Sequence, residues 1–111
     1  MQLYRGVTAV NDELRNRTLR YMLRTLRFCR DLLDNWEARE PGRALLRASL
    51  SVSSQHWSAC RGSSFMTKMA AASDAAADSA LLLMLIAQSG LHQDADAKDL
   101  LAEGREITAI L

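Results

Sequence analysis

Four arginines, Arg17, Arg20, Arg24 and Arg27, stand 3, 4 and 3 residues apart, so on a helix they fall within about 80° of one another and make one row. Guanidinium groups at that pitch can track a phosphate backbone, adding affinity without reading sequence. No aromatic platform interleaves the row, which counts against single-strand recognition. The ordinary alternative is a solvated face, partly neutralised within its own helix, for example by Glu13 four residues before Arg17.

His56 and Cys60 are four apart and Cys29 lies on an earlier apolar face, so three metal-ligand types are available. A structural zinc needs four ligands and a catalytic zinc three plus an open position, and no carboxylate shares those inner faces. The expectation is therefore no metal and no cofactor: a core histidine with a hydrogen-bond partner, and two buried, reduced thiols. A cysteine nucleophile would need exposure, a lowered pKa and an oriented base, and apolar faces offer the reverse. Asp74 and Asp78 form an acidic pair on an otherwise apolar stretch, which reads as a narrow wet strip rather than general acid-base machinery. With no glycine-rich phosphate loop, HExxH or GxSxG present, neither an enzyme nor a small-molecule substrate is expected.

The elements that must carry these residues are helices. In 111 residues there is one proline and five glycines, and 49% of the chain is apolar, which fits one all-α domain with a core of its own. Asn11, followed by Asp12 and Glu13, reads as a cap for a helix over 11–36. Its apolar face would hold Leu14, Thr18, Met22, Thr25, Leu26, Cys29, Leu32, Leu33 and Trp36, with the arginine row on the far side. Pro41 fits a first helical position and opens a second helix over 41–61, with Leu45, Leu46, Ser49, Val52, Ser53, His56, Ala59 and Cys60 inward. The small Ser49 and Ser53 would let a neighbouring helix come close.

Gly62 ends that helix, Ser63 or Ser64 can cap a third over 64–89, and Gly90 stops it. Asp94 can cap a fourth over 94–111, with Leu100, Leu101, Gly104, Ile107, Ala109, Ile110 and Leu111 as its apolar positions. No Gly, Lys or Arg follows Ile107, so the terminal carboxylate faces the negative helix end and a longer natural helix is expected. Short connections at 37–40, 62–64 and 90–93 make an antiparallel up-down-up-down four-helix bundle. The third helix is apolar nearly all round, with the block Leu81, Leu82, Leu83, Met84, Leu85 and Ile86. A helix of that kind needs cover on more than one side, so self-association is expected, with Leu81, Leu82, Met84 and Leu85 as the candidate interface.

Net charge is +1, yet residues 1–47 carry an excess of four positive charges and residues 48–111 an excess of three negative ones. Twelve of the fourteen basic residues are Arg, the side chain suited to phosphate and carboxylate. The longest unbroken apolar run, Ala80 to Ala87, is too short to cross a bilayer, so no membrane segment is expected. With two distant cysteines and no signal-like opening, a cytoplasmic location is expected.

The segments NDELRNRTLR, WEAREPGRALLRASLSVSSQHWSACRGSS, LLMLIAQSGL and LLAEGREITAIL resemble the bacterial four-helix-bundle proteins. These are related to proteins encoded in intervening sequences of large-subunit ribosomal RNA genes, and more distantly to accessory proteins of diversity-generating retroelements. The likeness covers roughly residues 11–111. Where that family has glycines on its second helix this chain has Ser49 and Ser53, and where it has Asn and an aromatic this chain has Gln55 and His56. Where it places an aromatic pair and a glutamate on its third helix, Leu81, Leu82 and Met84 stand here. The resemblance implies a bacterial homo-oligomer, often a pentamer, without catalysis, whose partners would be RNA or DNA or a reverse transcriptase. The expectation is a non-enzymatic oligomeric binding or scaffold protein, its basic first helix reaching nucleic acid or a nucleic-acid enzyme. The alternative is a purely structural or protein-protein interaction oligomer.

Overall fold

The computed structural model describes the backbone of residues 2–32, 34–62, 64–91 and 94–111, and the side chains of 12–32, 34–62, 64–91 and 95–111. Four helices, α1 (Gln2–Leu32), α2 (Trp36–Cys60), α3 (Phe65–Ser89) and α4 (Asp94–Ile110), run in order and form an elongated all-α four-helix bundle of 51 × 23 × 19 Å. Neighbours in sequence pack together and α1 closes the ring against α4; α2 and α3 meet most extensively, α1 and α4 least.

Three boundaries differ from the sequence reading, each for a local reason. Asn11 does not cap α1, which runs through it from Gln2; Asn, Asp and Glu inside a helix cost only tenths of a kcal/mol each, too little to force a start. At the other end α1 stops at Leu32, because Asn35 belongs to the next helix. Its side chain accepts the Glu37 amide at 3.0 Å, so α2 starts at Trp36 rather than at Pro41. Pro41 then lies inside α2, where its missing N–H leaves the Glu37 carbonyl without its usual helical partner. Glu37 is exposed, so water can meet that carbonyl, and the proline is tolerated.

The third helix begins and ends where the glycines and serines indicated. Gly90 closes it with φ 75°, a left-handed turn that a residue without Cβ makes freely. Ser64 occupies the residue before α3 but its side chain makes no capping hydrogen bond, and Ser63 lies outside the described residues. Asp94 is the first residue of α4; its side chain also lies outside them.

The core is a mixture of large and very small side chains. Tyr21, Phe28, Cys29 and Leu32 of α1 meet Leu45 and Val52 of α2, Ala75, Ala76, Leu83 and Ile86 of α3, and Ala97, Leu100 and Ile107 of α4. The buried face of α1 keeps Leu14, Thr18, Thr25, Cys29 and Leu32 of the expected one but is turned toward one flank. Tyr21 and Phe28 are inside, Leu26 is 37% exposed and Trp36, now on α2, is 77% exposed; Leu33 lies outside the described residues. Buried hydroxyls are satisfied locally, with Thr18 donating to Arg15 O and Thr25 to Tyr21 O. Ser53 instead reaches across, donating to the Thr18 carbonyl at 3.0 Å, and a side chain this small is what allows α1 and α2 to approach so closely.

Candidate functional site

The arginine row does not run down the back of α1. Each member precedes a buried residue (Thr18, Tyr21, Thr25, Phe28), so the row flanks the core on the side that faces α4. Asp96, Asp99, Glu103 and Glu106 of α4 repeat the same 3, 4, 3 spacing and likewise precede buried Ala97, Leu100, Gly104 and Ile107. In antiparallel helices two such rows face each other along one seam.

Arg17 joins them. Its Nη2 donates to Glu103 Oε1 at 2.6 Å and to Glu106 Oε2, and its Nε to Glu103 Oε2 at 3.1 Å. This pairing replaces the one expected with Glu13, and the hydrogen bonds with Glu103 raise the guanidinium pKa further. At the other end of the seam Arg24 and Arg27 share a cleft of about 220 Å³ with Asp96 and Asp99, floored by Phe28 and Leu100. Arg20, Arg24 and Arg27 are exposed and make no ion pair among the described residues.

The four candidate interface residues of α3 divide into two pairs. Leu81 and Leu85 point outward, 59% and 53% exposed. Leu82 packs against the core, and Met84 is half-buried toward α4, where Arg105 Nη2 approaches its Sδ at 3.8 Å. Beside Leu81 a groove of about 640 Å³ opens between α2 and α3, its alanine-rich bed including Ala48, Ala71 and Ala75, with Asp74 and Asp78 on its edge. By length and composition α3 could also cross a bilayer, which its interrupted apolar run did not indicate, although a third of its most apolar stretch is buried in the bundle.

The three candidate ligands do not converge, because Cys29 lies apart from His56 and Cys60. Cys29 donates to the Gly42 carbonyl at 3.4 Å, and Gly42 lies about 21 Å of helix from His56 and about 27 Å from Cys60. Burial pushes the Cys29 thiol up to about 11. Cys60 is half-buried rather than buried, because it sits at the last turn of α2; its Sγ lies 3.7 Å from His56 Nε2. Among the described residues no group of three or more His, Cys, Asp or Glu gathers as metal ligands. Arg15, paired with Asp12 at 2.7 Å, lies over the Trp57 ring, 4.9 Å from its centre.

Fold and surfaces together define a class, the all-α four-helix bundle. No family model, curated protein or solved structure matches the chain.

Proposed function

We propose that this chain is a non-enzymatic four-helix scaffold that associates with copies of itself, and that α3 carries a contact. The double exposure of α3 supports the reading. Ala72, Ala75, Ala76, Ser79, Leu83 and Ile86 already lie inside the bundle, yet Leu81 and Leu85 stand more than half exposed on its outer side. Apolar area removed from water is worth roughly 25 cal/mol per Å², so covering these two side chains favours association. Light scattering after size exclusion at micromolar concentration should report more than one chain per particle. The double change Leu81→Glu, Leu85→Glu should reduce it to one chain with helix content unchanged, since an unpaired charge in an apolar contact is heavily penalised. A monomeric wild type sinks the reading.

A second reading assigns α1 to RNA or DNA, or to a nucleic-acid enzyme such as a reverse transcriptase. It is favoured by Arg20, Arg24 and Arg27, which are exposed on one row. The acidic row of α4 stands beside them and lowers the potential they present, so the scaffold reading ranks first.

A further inference from the structure

We infer that copies join head to tail, a leucine ridge on α1 and α2 of one chain seating in the α2–α3 groove of the next. The inference rests on the self-association reading and names both halves of its contact. Five large apolar side chains stand outward at the α1–α2 seam: Leu19, Leu23, Leu26, Leu50 and Trp57, each 36–51% exposed. Leu19, Leu23 and Leu26 are spaced 4 and 3, and so form one strip of α1. The Ser53–Thr18 and Cys29–Gly42 hydrogen bonds fix the antiparallel register of α1 and α2, which brings that strip alongside Leu50. Trp57 continues the ridge beneath Arg15.

The two faces differ in shape and in charge. The ridge is convex and built of leucines; the groove is concave and bedded on alanines. Exposed Arg30 on α1, four residues after Leu26, and exposed Arg43 on α2 border the ridge. Asp74 and Asp78 on the groove edge are exposed and make no ion pair among the described residues, and they outnumber Arg47, the one cation lining the groove. Ridge against ridge would set arginines against arginines, and groove against groove would leave a void between two alanine beds. Ridge into groove fills the bed and brings opposite charges together. Because the two faces lie on different sides of α2, each chain offers both, and repetition of the contact builds a ring where its rotation closes and an open filament where it does not.

The test uses two variants of the full chain, both altered at exposed positions: a ridge variant, Leu23→Glu with Leu50→Glu, and a groove variant, Asp74→Arg with Asp78→Arg. Circular dichroism should match wild type for both, and Leu50→Glu alone serves if the double ridge change does not fold. Each variant should be monomeric by light scattering. Their equimolar mixture should form particles of two chains, since one intact ridge then meets one intact groove. A ridge variant that keeps the wild-type particle size overturns the inference while leaving self-association in place, and so does a mixture of monomeric variants that stays monomeric. A monomeric wild type overturns the self-association reading and this inference with it.

Discussion

His56 is fully buried with an incomplete set of hydrogen bonds. Its Nε2 faces the Cys60 thiol, whereas Nδ1 has no partner among the described residues. The expected partner was therefore found for one ring nitrogen only. Burial first, and then the nearby Arg15 charge, hold its pKa below the ordinary value. The unfolded chain takes up a proton near pH 6.5 that the folded chain resists. Stability from this residue is thus complete above about pH 6.5 and is lost as pH falls from there toward the folded pKa, with a slope of up to about 1.4 kcal/mol per pH unit. Urea midpoints measured from pH 7.5 down to pH 5 should fall for the wild type, and His56→Leu should flatten the curve. Equal slopes in the two proteins would remove His56 as the cause.

At the scale of the helices, one polar contact ties three of them. The Tyr21 hydroxyl on α1 meets Ser79 Oγ of α3 at 2.7 Å and lies against α4 at Gly104, where an added Cβ would come within 2.7 Å of that oxygen. Alanine ordinarily favours a helix over glycine by about 1 kcal/mol. Here overpacking, about 1–3 kcal/mol, opposes that gain, so Gly104→Ala should destabilise by a net of up to about 2 kcal/mol in chemical denaturation. Adding Tyr21→Phe should recover part of that loss by freeing the space of the hydroxyl. A Gly104→Ala protein as stable as wild type would show that α4 slides to accommodate the methyl. Sequence periodicity placed Gly104 on the inner face but gave no sign of the tyrosine above it, because Tyr21 interrupts the aliphatic pattern of α1. The spacing of Asp96, Asp99, Glu103 and Glu106 mirrors that of the arginines, but that the two rows share a seam comes from the Arg17 ion pairs and the cleft of Arg24 and Arg27 with Asp96 and Asp99.

For the molecule as a whole, the bundle was readable because its breaks are chemical. Gly62 and Gly90 bound α3, and apolar residues recur at helical pitch on either side of them. What the chain alone could not reveal was rotation, meaning which flank of a helix meets which neighbour, since that is set by tertiary register. The arginine row shows the cost. Placed at the back of α1, it reads as an open phosphate track; placed beside α4, it has carboxylates for company. The nucleic-acid reading therefore makes a sharp demand. If Arg20, Arg24 and Arg27 do engage phosphates, affinity for duplex RNA or DNA should fall by orders of magnitude between about 50 and 200 mM salt, and the triple change to Glu should abolish it. Undetectable binding at the lower salt would reduce the row to one side of an intramolecular seam.

The two tryptophans make the bundle readable by light. Trp36 stands 77% exposed at the start of α2, and Trp57, near its end, keeps 41% of its surface under the Arg15 guanidinium. Both indoles are already wet in the single chain, so their emission starts near its solvent-relaxed limit and has little room to shift red when the fold is lost. Near-silent tryptophan fluorescence during denaturation would be a property of this sequence, not evidence of survival. Trp57 lies on the ridge that a neighbouring copy would cover, so a blue shift that grows with protein concentration would report assembly from inside the contact, with no added dye.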